Sequence, residues 1–251
     1  MINYILTPDE QSMYEKVGNL TMRIARPLIW NDDLEAWPKI LHGGTCFILR
    51  FDTGLIGVTA EHVIGAFEDL KRIRNDITCL IRTVPINLIE SIVDCNTELD
   101  IATFKVTERQ LKESKAIALD YRPPCLGFPI PKIGAAISFG GYPEALKKMS
   151  FDMNIEFRTY VNMAHVEDIT DRDIIATYNP TRDIRMRAAS QLPNLGANLS
   201  GCSGGPVLVH FEADGNHRWS PIGMMIAGPK HVAKGALQDL DIIRLRRIHS
   251  V

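Results

Sequence analysis

Short apolar runs broken by turn residues dominate this chain, and they limit its possible folds more than any other feature. Met22–Ile24, Cys46–Phe51, Gly54–Thr59, Ile77–Arg82, Ile101–Val106, Ala135–Phe139, Phe157–Val161, Ile174–Tyr178, Ile184–Ala188, Val207–Phe211 and Ile222–Ile226 are rich in Ile, Val, Phe or Thr. Each is bounded by Gly, Pro, Asn or Asp. Such runs read as strands. Many strands with few long helical periods predict an all-β chain built from barrels or sandwiches.

Two segments read as helices. Thr7-Pro8-Asp9-Glu10 can start one, with Thr7 as cap, Pro8 in the first turn and Glu10 three residues after the cap. Gly18 would stop it. Leu237 to Ile248 carries apolar residues at 237, 240, 243 and 248, a spacing that predicts a C-terminal helix. Tyr121–Lys132 holds four prolines in twelve residues and marks a boundary. The expected organisation is a helical extension over 1–20, a first unit over 21–122 and a second over 123–251.

Composition excludes several classes. With 251 residues, 45% of them hydrophobic, the chain can bury roughly three quarters of its unfolded surface, which excludes wholesale disorder. A net charge of -2 asks for neither nucleic acid nor an anionic membrane. Arg244, Arg246 and Arg247 read as a solvated face. No apolar run reaches the ~18 residues of a membrane helix, and the first residues read as no secretory signal. Cys46, Cys79, Cys95, Cys125 and Cys202 are odd in number and widely spaced. They predict free thiols in a reducing compartment, hence a cytoplasmic protein. No CxxC or HExxH occurs, so neither a metal nor another cofactor is expected.

Three segments carry chemistry. In Gly201-Cys202-Ser203-Gly204-Gly205-Pro206, glycines let the backbone turn sharply and expose a hydroxyl. The N–H groups of Gly201 and Ser203 can then converge on a developing oxyanion. Thr59-Ala60-Glu61-His62 follows a strand, and Asp100-Ile101-Ala102 opens one. Taken singly, each has a structural reading: a turn, a packed histidine, a turn aspartate. Taken together, they supply what acyl transfer by serine needs: a nucleophile, a base, and a carboxylate to orient the base.

On these residues the chain resembles the trypsin/chymotrypsin family of serine proteases, especially its bacterial-type, disulfide-free members. Thr59–His62 resembles the family's T-A-A-H segment, Asp100–Ala102 its D-[IL]-A, and Gly201–Pro206 its G-D-S-G-G-P or G-N-S-G-G-P. Gly43–Ile48 resembles the G-x-G-F-x-[IV] strand, and Ile222–Ile226 the V-G-I-[VI]-S strand. The resemblance runs over roughly residues 20 to 250, in family order. It implies two six-stranded antiparallel β-barrels with the site between them. His62 and Asp100 would come from the first and Ser203 from the second. It implies a serine endopeptidase acting on polypeptides, with Ser203 as nucleophile, His62 as base and Asp100 as orienting carboxylate. Ala197, Asn198, Ala227 and Gly228 fall where the family lines its substrate pocket, which implies cleavage after a small or apolar residue.

Departures accompany the resemblance. Cys202 replaces the acidic residue that pairs with a new N-terminus in zymogen members, so that activation route is not expected. Cys202 reads as a small packed residue. Glu61 stands where the family has a small residue and suits the first turn of a helix. His165, His210 and His217 read as surface residues.

Two other readings stand beside the protease. One is an α/β-hydrolase esterase, because Gly201–Gly205 also fits G-x-S-x-G. It would need a long helix after Ser203 and much more chain. The other is a silent or partner-activated protease fold that acts by binding. Residues 1–20 and Pro143–Asn154 are where a regulating partner is expected to act.

Overall fold

The computed structural model describes residues 8–31, 41–120, 131–144, 147–149, 155–178, 199–227 and 241–247. The elements run in the order α1 (Pro8–Ile24), β1 (Arg26–Asn31), β2 (Leu41–Phe51), β3 (Gly54–Thr59), α2 (Glu61–Ile73), β4 (Cys79–Ile81), β5 (Val84–Ile86), α3 (Leu88–Ser91), β6 (Ile92–Asn96), β7 (Ile101–Val106), α4 (Glu108–Ser114) and β8 (Ala118–Asp120). There follow β9 (Ala136–Gly141), β10 (Lys147–Met149), β11 (Ile155–Phe157), β12 (Tyr160–Ile169), β13 (Asp173–Tyr178), β14 (Pro206–Ala213), β15 (Asn216–Ala227) and β16 (Asp241–Arg247). The chain is mostly β, as its sequence predicts.

The strands form two main sheets. One is a closed barrel of six antiparallel strands, in the cyclic order β12-β13-β16-β15-β14-β9. The other has eight strands, in the order β5-β4-β1-β2-β3-β7-β6, with β8 added beside β2. This first sheet departs from the expected six-stranded antiparallel barrel. Among the described residues it stays open between β5 and β6, and β8 pairs in parallel with β2. The local chemistry explains the open edges. Pro85 sits in the middle of β5 and has no N–H to donate. β6 is bulged between Ile92 and Asp94 and exposes Val93 at 50%. Both devices blunt a sheet edge.

Two cores follow. Phe47, Ile48, Ile64, Phe67, Ile81 and Phe104 pack under the open sheet with α2, and Trp30 meets Phe67 edge to face at 5.3 Å. Ile137, Phe139, Tyr160, Val207, Met225 and Leu245 fill the barrel. Leu208, Met224 and Ile226, all from barrel strands, belong to the core of the open sheet. The two sheets are therefore packed against each other.

Several sequence expectations are corrected. The C-terminal helix is not formed over 241–247, which are the strand β16 between β13 and β15. The apolar spacing at 237, 240 and 243 suits a helix, but barrel closure takes this segment as its sixth strand; residues 237–240 lie outside the described ones. Arg246 is not solvated. It is 7% exposed and lies 2.8 Å from Asp173, while Arg244 is exposed. Met22–Ile24 is the last turn of α1 rather than a strand, and Gly18 lies inside that helix. Val17, Thr21 and Ile24 form its buried face at helical spacing, which holds the helix past Gly18. β1 was not among the expected strands. Ile184–Ala188, Cys125 and residues 121–130 of the proline-rich boundary lie outside the described residues. Among the described residues no helix is long and apolar enough to cross a membrane.

Candidate active site

β3 delivers the chain to α2, whose first residues are Glu61 and His62. The cap residue Ala60 has no side chain to satisfy the first-turn N–H groups. Asp100 takes that part from outside the helix: the His62 N–H donates to Asp100 Oδ1 at 3.0 Å. Glu61 adds a carboxylate at the positive end of the helix.

Register explains why Asp100 is there. β3 pairs with β7, with Thr59 opposite Ala102, so the start of β7 lies beside the end of β3. Asp100 ends the turn between β6 and β7 with φ at 54°, a left-handed conformation that aspartate tolerates better than most residues. Asn96 Oδ1 accepts the Leu99 N–H at 2.8 Å and tightens that turn.

The His62 ring meets the same carboxylate. Nδ1 lies 2.8 Å from Asp100 Oδ2 and 3.0 Å from Oδ1. A carboxylate accepts, so the ring presents an N–H at Nδ1 to Asp100 and turns Nε2 away from it. Half of the His62 side chain is exposed, against 24% of Asp100. The arrangement is an imidazole oriented from behind and open in front.

Ser203 comes from the other sheet, in the turn that enters β14. The bonds of this turn are directional. Cys202 N–H donates to Leu199 O at 2.9 Å, Gly204 N–H to Met225 O at 2.7 Å and Gly205 N–H to Cys202 O at 2.8 Å. Among the described residues, the N–H groups of Gly201 and Ser203 bond to nothing. In a trans peptide the N–H points opposite to the carbonyl. Ser200 O is held by Glu144 N–H at 2.8 Å and Cys202 O by Gly205 N–H. The two unengaged N–H groups are thereby aimed away from those contacts. Gly201 and Gly204 have φ of 92° and 85°, which glycine alone adopts without strain.

The turn docks on the open sheet. Thr45 N–H donates to Ser203 O at 2.8 Å, and Thr45 Oγ1 donates to Gly201 O at 2.7 Å. A Cβ placed on Gly44 would lie 2.6 Å from Val63, the neighbour of His62, and 3.1 Å from Ser203 O. One glycine thus separates the His62 helix from the Ser203 turn. Ser203 is half-buried, and among the described residues its Oγ carries no hydrogen bond.

Of the residues picked out in the sequence, His62 and Asp100 are bonded, and Ser203 and Gly201 share the turn that packs beside them. Ala227 ends β15, the strand that receives the Gly204 N–H through Met225. Ala197, Asn198 and Gly228 lie outside the described residues. Thr45, Tyr142 and Glu144 are not among the expected site residues, although Thr45 stands inside the Gly43–Ile48 motif and Glu144 inside Pro143–Asn154.

Among the described residues, every thiol is buried or has its pKa raised. Burial pushes the Cys46 thiol up to about 12 and raises that of Cys79. Cys95 is exposed, but partial burial and then the acidic side chains of Glu61, Glu68 and Asp94 raise it. Cys202 is packed in the barrel core. All four are free. His210, expected on the surface, is 8% exposed and bonded to Ser138. Among the described residues, no group of three or more His, Cys, Asp or Glu is placed to hold a metal ion. The groove of about 540 Å³ lined by Phe67, Lys71, Ile77, Ile86 and Leu88 contains none of the site residues. Ser203 does not stand on a nucleophile elbow of the α/β-hydrolase kind: Pro206–Ala213 after it is a strand, where that elbow needs a helix.

No family model matches the chain. No curated protein matches it. One similar solved structure comes from work on aromatic interactions in the coupled folding and binding of the intrinsically disordered Sesbania mosaic virus VPg protein. It is 13% identical, with a TM-score of 0.42, over 90% of this chain and 86% of that one. A likeness of that size leaves any assignment to the geometry of the site.

Proposed function

We propose that this chain is a trypsin-like serine endopeptidase. The observation that carries the reading is the pair of hydrogen bonds from His62 to Asp100, through Nδ1 and the backbone N–H, beside a serine turn with two N–H groups unengaged among the described residues.

In the proposed reaction Ser203 Oγ attacks the scissile carbonyl while His62 Nε2 takes its proton. Asp100 holds the imidazole in that tautomer and stabilises the imidazolium. The oxyanion is received by the N–H groups of Gly201 and Ser203, each such donor being worth about a hundred- to a thousandfold in rate. His62 returns the proton to the leaving amine, and the acyl-serine is left. Water, deprotonated by His62, then releases the acid and frees Ser203. The substrate would pair as a strand with the end of β15 near Ala227 and present a small or apolar residue to the pocket.

Labelling with a fluorophosphonate probe tests this. The expected result is one adduct on Ser203 by peptide mapping. It should be absent in Ser203→Ala and His62→Ala and slowed about ten-thousandfold in Asp100→Asn. Folded protein without an adduct would favour the silent, binding form of the fold and end the catalytic reading.

A further inference from the structure

The residue before Ser203 is a buried cysteine, which can form no ion pair, so hydrogen bonds must hold the serine turn. Two of them join the turn to one short segment, 141–144, and two more come from Thr45, which that segment also holds. Tyr142 N–H donates to Thr45 Oγ1 at 2.9 Å, and that hydroxyl donates to Gly201 O at 2.7 Å. Glu144 N–H donates to Ser200 O at 2.8 Å, and Ser200 Oγ to Glu144 Oε2 at 3.2 Å. Packing here is close: a Cβ on Gly201 would lie 2.6 Å from Tyr142 O and 2.9 Å from Glu144 N.

The Tyr142 side chain reaches the junction between α1 and β1. Its phenol donates to Ala25 O at 3.3 Å and is hydrogen-bonded to Arg26. Arg26 in turn donates to Met22 O at 2.7 Å and Ser114 O at 3.1 Å, and so ties the ends of α1 and α4 together.

We propose that segment 141–144 is a strap that holds the serine turn with its N–H donors outward, and that Thr45 and Tyr142 are positioning residues for it. The inference rests on the serine-hydrolase reading and deepens it. Fixing Ser200 O sets the direction of the Gly201 N–H, because the peptide is planar. Fixing Gly201 O stops the next peptide from rotating. Thr45 serves both segments with one hydroxyl, giving one bond and accepting another. The junction of α1 and β1, Ala25 and Arg26, anchors the strap.

The test measures fluorophosphonate labelling as a maximal rate and a half-saturating probe concentration, with melting temperature as the fold control. Thr45→Val keeps the shape and loses the hydroxyl; Thr45→Ser keeps the hydroxyl. Tyr142→Phe loses only the phenol oxygen. The maximal rate should fall about ten- to a hundredfold in Thr45→Val and about three- to tenfold in Tyr142→Phe. The half-saturating concentration should stay within about twofold, and Thr45→Ser should restore the rate. A folded Thr45→Val or Tyr142→Phe that labels at the wild-type rate would overturn the strap and leave the hydrolase standing. Folded wild-type protein without a Ser203 adduct would overturn both.

Discussion

The barrel and the open sheet solve the same problem in different ways. The barrel satisfies its strand edges with each other, all six strands pairing in a ring. The open sheet ends at β5 and β6 and protects those edges with Pro85 and a bulge. Its core also borrows Leu208, Met224 and Ile226 from the barrel, so it is completed only by docking. The site divides along the same line. His62 and Asp100 are set within the open sheet by one register, Thr59 opposite Ala102. The Ser203 turn is set by both sheets through Thr45 and Met225. The His62–Asp100 pair is thus a local product, and the place of Ser203 is a product of docking.

Three measurements would break or sharpen this contrast. The largest effect is expected from emptying either core. Phe104 and Phe139 are both fully buried, one under each sheet, and changing either to Ala should cost about 3–5 kcal/mol. Because the cores share barrel residues, urea should unfold both sheets in one transition, seen alike by Trp fluorescence and circular dichroism. Two separated transitions would show that the sheets are independent.

Next is Gly204→Ala. Its Cβ would lie 2.0 Å from Thr45 O and 2.5 Å from Thr59 Oγ1, at a φ of 85°. A loss of about 2–4 kcal/mol is expected. Ser203 labelling should disappear while the downfield proton NMR signal of the His62–Asp100 bond persists. Loss of that signal as well would mean the pair depends on docking after all.

The smallest effect lies in the barrel. His210 Nε2 is 2.8 Å from Ser138 Oγ, and His210 Nδ1 is 3.2 Å from His217 Nε2. Burial, and then His217, lower the His210 pKa to about 4. Unfolded, a histidine takes its proton near pH 6.5. Between those values the folded state binds fewer protons, so stability is complete above pH 6.5 and falls as pH drops towards 4. The loss from pH 7 to pH 5 should be about 2 kcal/mol by urea titration. It should shrink in His210→Gln; an equal loss in that variant would assign the acid sensitivity elsewhere.

The sequence by itself determined the strand-rich character of the chain, through short β-branched runs between turn residues. It also determined which residues could do the chemistry. Glycines at 201 and 204 permit the left-handed turn, and a histidine after a strand and an aspartate before one could meet if those strands paired. Only the tertiary structure decided that they do pair. It also decided that 241–247 is a strand, since barrel closure outweighs a helical spacing, and that Met22–Ile24 stays helical, since Val17, Thr21 and Ile24 bury one face. Thr45, Tyr142 and Glu144 could not be read as site residues, because their partners lie far along the chain and on the other sheet. Local pattern is written in neighbouring residues, whereas register, closure and docking arise from contacts that form only when distant segments are brought together.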